Sequence, residues 1–253
     1  MPFLFGTNFK MHQTPSETAA YIDELLAFPP PPNAQLFLIP PFTSLTTAAT
    51  HLHGSDIWLG AQNMHWAEEG AYTGEISAPM LLATGANLVM LGHAERRHQF
   101  GETDGILYKK LWRAINAGLQ VLLCVGEDAD QRGRNISKEV LALQMKVALG
   151  DLHTDALNSI MIAYEPVWSI GVGGIPASPE IVAEMHNWIR AVLIDMFDIE
   201  AMNVPILYGG SVNPKNCADY AGLSQVDGLF VGRAALTPMG FMDVLSRSLE
   251  ARS

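Results

Sequence analysis

Cysteine is scarce in this chain of 253 residues: Cys124 and Cys217 are the two, and they form no Cys-x-x-Cys pair. Disulfides therefore do not hold the fold, and with no His/Cys cluster at ligand spacing a structural zinc site is not expected either. His51 and His53, beside Gly54, read as a solvated helix end. Positive charge is also short, with 15 Lys plus Arg against 26 Asp plus Glu and a formal charge of −11. That balance excludes a general nucleic-acid or anionic-membrane surface, but not a small phosphorylated ligand held by a few local donors. No apolar run is long enough to span a membrane, and the opening residues lack the basic stretch of a secretory signal. Reduced thiols and a cytoplasmic location are the expectation. Ser/Gly linkers, charge runs and low-complexity tracts are absent too, so nothing divides the chain into domains.

What remains is a sequence that is 49% hydrophobic and 16% charged, enough to bury a large core. Short apolar runs recur at 3–7, 35–39, 57–61, 87–91, 120–125, 159–163, 204–207 and 228–231, and each leads into a segment of helical periodicity. Thr14, Pro15 and Glu17 spell a capping box with proline at the first helical position. Further helices are expected from Ser44, over 79–84, 105–116, 137–149 and 178–197, near 214–220, and from about Met239. Glycines at 118 and 150 close two of them. Strands alternating with helices imply a parallel sheet, since each return needs a crossover. Eight such units in this length favour one closed (β/α)8 barrel over an open doubly wound sheet. The prolines at 29–32 and 40–41 read as rigid loop elements.

In such a barrel the chemistry lies at the C-terminal ends of the strands, so polar residues just after each apolar run are the candidates. Asn8 and Lys10 follow the first run, His93 and Glu95 the fourth, and Glu165 the sixth. Glu165, set before Pro166 and near Trp168, is a partly desolvated carboxylate suited to a general base; alone it could equally be a rim carboxylate paired with Arg. A neutral His93 can polarise a carbonyl, while Lys10 offers fixed positive charge for an oxyanion. Out of context, His93 reads as a capping or packed histidine and Lys10 as a solvated surface charge. Glu95, Arg96 and Arg97 read as a buried ion-pair network holding the loops.

Glycine-rich turns at Gly171-Val172-Gly173-Gly174, Gly209-Gly210-Ser211 and Gly232 offer backbone N–H groups for a phosphate. The first lacks the rest of a dinucleotide fingerprint and a Walker lysine. The second lacks the far glycine of a nucleophile elbow. Base, neutral electrophile, cation and phosphate cradle together are more telling than any one of them.

At these residues the sequence resembles the triosephosphate isomerase family. The matches are Asn8-Phe9-Lys10-Met11, Gly60-Ala61-Gln62-Asn63, Tyr72-Thr73-Gly74-Glu75-Ile76-Ser77 and Gly92-His93-x-Glu95-Arg96-Arg97. Cys124-Val125-Gly126-Glu127, Ala163-Tyr164-Glu165-Pro166-Val167-Trp168 and Tyr208-Gly209-Gly210-Ser211-Val212 follow in the family's order. The resemblance implies that Glu165 moves a proton between adjacent carbons through an enediolate. It gives His93 the carbonyl and enediolate oxygens, Lys10 the developing charge and Asn8 the placing of the substrate oxygen. Residues 166–177 would form a lid, with Gly171, Ser211, Gly232 and Arg233 at the phosphate. No metal or organic cofactor is implied. A homodimer is, with the loop after the third strand bringing Thr73 near Asn8 and Lys10 of the other subunit.

Some residues depart from the family pattern. Ala94 replaces the usual Ser, the lid is one residue longer and carries Pro176, and Arg233 stands where a second glycine is usual. Asn63-Met64-His65-Trp66, Gly174-Ile175-Pro176-Ala177-Ser178, Ser211-Val212-Asn213-Pro214 and Val231-Gly232-Arg233 look like the branch acting on four-carbon tetrulose phosphates. The expected reaction is aldose–ketose isomerisation of triose phosphates, with erythrulose phosphate and an aldose partner as the rival. Arg233 either points away or reshapes the phosphate end. A non-catalytic phosphate-binding barrel is the reading from another class. A Schiff-base aldolase, with Lys10 as its one candidate lysine, fits less well.

Overall fold

Each apolar run becomes a strand whose residues are buried on both faces, as a parallel strand between two apolar layers must be. The computed structural model describes residues 2–31, 33–171 and 173–252. Pro32 and Val172, part of the proline run and of the lid, lie outside them. The strands are β1 (Phe3–Asn8), β2 (Ala34–Ile39), β3 (Trp58–Ala61) and β4 (Leu88–Leu91), then β5 (Gln120–Val125), β6 (Ile160–Tyr164), β7 (Ile206–Tyr208) and β8 (Gly228–Val231). They pair in parallel and in chain order, and β1 also pairs with β8 through Leu4↔Gly228 to Thr7↔Val231, so the sheet closes. β7 starts two residues later than the apolar run because Pro205 has no N–H to give the ladder.

The returning helices are α1 (Pro15–Leu26), α2 (Leu45–His51), α3 (Ala78–Ala83), α4 (Ala94–Phe100) and α5 (Asp104–Asn116). After them come α6 (Ala129–Gly133), α7 (Ser137–Ala148), α8 (Pro179–Phe197), α9 (Cys217–Ala221) and α10 (Pro238–Glu250). The capping box is present at α1, where Thr14 N–H donates to Glu17 Oε2 at 2.7 Å and Glu17 N–H donates to Thr14 Oγ1 at 3.4 Å. α4 and α6 were not expected; at seven and five residues they are too short for periodicity to reveal. His51 ends α2 and pairs with Asp23 at 2.6 Å, in keeping with a solvated helix end. Among the described residues no helix is long and apolar enough to cross a membrane.

Two apolar layers result. Alternate strand residues, such as Leu4, Phe37, Leu88, Met90, Leu122, Met161 and Phe230, fill the barrel. Their neighbours, such as Phe5, Val89, Leu123, Ile162 and Leu229, face the helices. The interior is filled so tightly that a Cβ on Gly6 would lie 2.2 Å from the Phe37 ring. Glycine at this inward position is what lets the aromatic ring cross the barrel and stack on Phe230.

Candidate active site

The inward register determines what reaches the barrel mouth. Asn8 continues the parity of Leu4 and Gly6, Glu165 that of Met161 and Ala163, and Gly232 that of Phe230. Residues far apart in sequence therefore converge at the strands' C-terminal ends. There a cleft of about 470 Å³ is lined by Asn8, Lys10, His93 and Glu165 on its reactive side. Gly171, Ser211, Gly232 and Arg233 line it as well, so every candidate site residue faces the same space.

Glu165 is only 3% exposed, and its backbone N–H donates to Val125 O at 2.8 Å. A Cβ on Gly126 would stand 1.9 Å from Glu165 O, so that glycine allows the backbones after β5 and β6 to touch. The carboxylate holds Oε1 3.6 Å from His93 Nε2 and Oε2 3.5 Å from Ala94 N. Cys124, in register with Ala163 two residues before Glu165, is buried, and burial with the neighbouring Glu165 keeps its thiol well above its ordinary pKa, so it stays a neutral S–H.

His93 caps α4: its Nδ1 accepts the N–H of Glu95 at 3.2 Å. This bond needs a lone pair on Nδ1 and so leaves the proton on Nε2, the neutral tautomer, aimed at the cleft. The Glu95 carboxylate is 3.7 Å from Nδ1, too far to compete for it.

Lys10 adopts a left-handed backbone with φ +53°, uncommon for a residue with a Cβ. Two bonds hold it there: Lys10 N–H donates to Asn8 Oδ1 at 2.8 Å, and Lys10 O accepts from Gln62 Nε2 at 2.7 Å. The ammonium then reaches Glu95 Oε1 at 2.5 Å. Here the structure corrects the expectation of one buried Glu95–Arg96–Arg97 network. Glu95, 38% exposed in its side chain, serves Lys10. Arg96 goes to Glu102, and Arg97 goes to Asp104 and the carbonyls of Gly92 and Cys124. A seven-residue helix cannot aim consecutive side chains at one another, because each step turns the direction by about 100°.

On the far side, Gly171 has φ +86° and its carbonyl accepts from Arg233 Nη2 at 2.9 Å. Arg233 thus turns toward the cleft and the lid. Ser211 N–H donates to Ser169 Oγ at 3.2 Å, tying the turn after β7 to the start of the lid segment. Trp168 Nε1 donates to Glu127 at 2.9 Å at the front of that segment, and Tyr220 OH donates to Ala177 O at 2.6 Å at its rear. Glu127 is fully buried and also accepts from Tyr164 OH.

The site reading missed Cys124, Glu127 and the exposed His12 at the cleft. Inward parity on β5 was the signal for Cys124; nothing in the sequence pattern marked His12. Among the described residues no group of three or more His, Cys, Asp or Glu is placed to hold a metal ion.

Comparison with known proteins agrees with this geometry. The family model described as triosephosphate isomerase matches residues 3–248. The triosephosphate isomerase of Aquifex aeolicus is 42% identical over 96% of this chain and 98% of its own. The L-erythrulose-1-phosphate isomerase of Rhizobium etli is 43% identical over 96% of this chain and 91% of its own. That of Mesorhizobium japonicum is 43% identical over 97% of each. With the barrel closed and the whole length matched, the chain belongs to the triosephosphate isomerase family and is an isomerase.

Proposed function

We propose that the protein isomerises a short phosphorylated ketose by moving one proton between adjacent carbons through an enediolate. The observation that carries this reading is the buried pair at the cleft floor, Glu165 Oε1 and His93 Nε2 3.6 Å apart. Glu165 takes the proton from the carbinol carbon and returns it to the former carbonyl carbon. The Nε2–H of His93 donates to the oxygens as charge builds on them, and Lys10 with Asn8 stabilises and places the enediolate oxygen. The lining has one carboxylate, Glu165, against Lys10 and Arg233, so the cleft favours an anion although the chain carries −11. The N–H groups of Gly171 and Gly232 take the phosphate, joined by that of Ser211 once it leaves Ser169 Oγ. Closing the lid excludes water and protects the enediolate from losing phosphate. Such proton transfer asks for no organic cofactor.

The substrate has the form R–CHOH–CO–CH2–OPO3. With R as hydrogen it is dihydroxyacetone phosphate, interconverted with glyceraldehyde 3-phosphate. The second reading has R as CH2OH, which is L-erythrulose 1-phosphate, and the 174–178 and 231–233 segments together with the Rhizobium and Mesorhizobium relatives favour it. On that molecule the proton moves between carbons two and three, so the product is a second ketose rather than an aldose. Side-by-side turnover of the two substrates decides between them. A kcat/KM far higher for the tetrulose removes the triose reading. Proton–deuteron exchange into substrate in D2O tests the chemistry itself, since a non-catalytic barrel gives none.

The acting unit in this reading is a homodimer. Met11 is 96% exposed beside Lys10, and Tyr72, Met80 and Leu82 are exposed apolar groups on and near the loop after β3. A second copy covers them by receiving that loop, with Thr73 reaching Asn8 and Lys10. Sedimentation showing a monomer at working concentration removes this part.

A further inference from the structure

Arg233 stands apart from the other arginines that flank the strand ends. Arg96, Arg97 and Arg132 each carry a carboxylate partner: Glu102, Asp104 and Glu127. Arg233 pairs with no carboxylate among the described residues, although the chain has 26 acidic side chains. Its one hydrogen bond runs from Nη2 to the carbonyl of Gly171, 2.9 Å away and 62 residues distant. The backbone explains the reach. Gly232 at φ −89° and ψ −111° turns the chain out of β8 into the short 3-10 turn Arg233–Ala235, which sets the exposed side chain over the cleft.

A guanidinium has five N–H donors in a planar fork, and one is used here, so the others are available to an anion in the cleft. The bond to Gly171 O also holds that residue's turn against the turn after β8. Arg233, Gly171 and Gly232 line the same cleft. We propose that Arg233 is a phosphate-reading residue that clamps the phosphate end of the substrate to the lid turn at Gly171. This rests on the placing of phosphate at that end of the cleft. One arm keeps the Gly171 carbonyl and the free arms take phosphate oxygens, a fork-to-oxyanion match stronger than a neutral donor gives.

The clamp reads phosphate and not sugar length. Dihydroxyacetone phosphate and L-erythrulose 1-phosphate share the CO–CH2–OPO3 end and differ at the other, beside Glu165 and His93. Arg233 therefore raises affinity for both and chooses between phosphorylated and phosphate-free ketoses.

The test is calorimetric binding of inorganic phosphate to the whole protein, which needs no turnover, in the parent, Arg233→Gln and Arg233→Lys. Loss of one charge-assisted contact is expected to weaken phosphate binding on the order of ten- to a hundredfold in R233Q. R233K, keeping charge without the fork, falls between. The ratio of kcat/KM for a phosphorylated ketose to its phosphate-free form narrows in R233Q, while the ratio between triose and tetrulose phosphates stays put. Equal phosphate affinity in parent and R233Q overturns the clamp, and so does a changed triose-to-tetrulose ratio. If neither sugar phosphate is turned over yet phosphate binding still falls in R233Q, the proposed substrate reading fails and the clamp stands.

Discussion

The ammonium of Lys10 and the carboxylate of Glu95 meet at 2.5 Å, across 85 residues of sequence, and join the turn after β1 to the first turn of α4. His93 caps that same helix, so cation and imidazole are fixed relative to one another by a single short element. Lys10 pays for its left-handed backbone with this anchor and the bonds to Asn8 and Gln62.

Glu95→Gln should therefore act on catalysis more than on stability. The pair is partly exposed, so its loss lowers kcat/KM by about tenfold while the melting temperature barely moves. Steady-state kinetics beside thermal unfolding check this, and an unchanged kcat/KM shows that Lys10 holds its place without Glu95.

Glu165→Asp draws the carboxylate back by roughly 1 Å or more, a displacement worth on the order of 100-fold in kcat. Binding of inorganic phosphate should stay as it was. If kcat does not change, Glu165 is not the base.

His93→Gln keeps a hydrogen-bond donor but loses the ring that shuttles protons between oxygens. The expected loss is about 100- to 10,000-fold in kcat, the range for a positioned acid–base group. Deuterium exchange into recovered substrate should fall in parallel; exchange at the parent rate assigns the proton transfer elsewhere.

Gly126→Ala places a methyl 1.9 Å from the carbonyl oxygen of Glu165, against backbone that shifts only at a cost and not a flexible side-chain end. Denaturant unfolding should show a loss of about 1–3 kcal/mol from overpacking. Activity should fall as well, because the backbone that moves carries the base. A variant as stable and active as the parent means that the two loops separate freely.

His186 is buried between the rings of Tyr164 and Tyr208, and burial lowers its pKa from 6.5 to about 4. The folded state thus prefers the neutral ring, its Nδ1 facing Gln225 O at 3.0 Å. Stability from this group is complete above pH 6.5 and is lost as the pH falls through 4, about 3 kcal/mol in all. His186→Gln should flatten the stability profile in that window. A profile as steep as the parent's assigns the slope to other groups.

Much of the fold was legible because its signals are local. Apolar runs separated by helical periods gave the strands to within two residues at either end, and the Thr14–Glu17 capping box needed only four residues. α4 and α6 stayed hidden because one or two turns carry no period, and α4 is the element that seats His93 and Glu95. All the candidate site residues line one cleft, since strand-end position in a closed barrel is itself a prediction of convergence. The partners were not legible. Glu95 next to Arg96 and Arg97 in sequence looks like one ionic cluster, but helix rotation sends each charge to a different neighbour.

Sequence alone determined the alternation of strands and helices, and the residue types available at the rim for proton transfer and phosphate binding, because periodicity and residue chemistry act over a few positions. Tertiary structure decided which atoms meet. Closing β1 on β8 sets the inward parity that aims Asn8, Glu165 and Gly232 at one space. The same closure sets Cys124 in register with Ala163, close to Glu165, and stretches Arg233 to Gly171. Those contacts depend on the register of a ring of strands, a property of the whole chain that no short stretch of it contains.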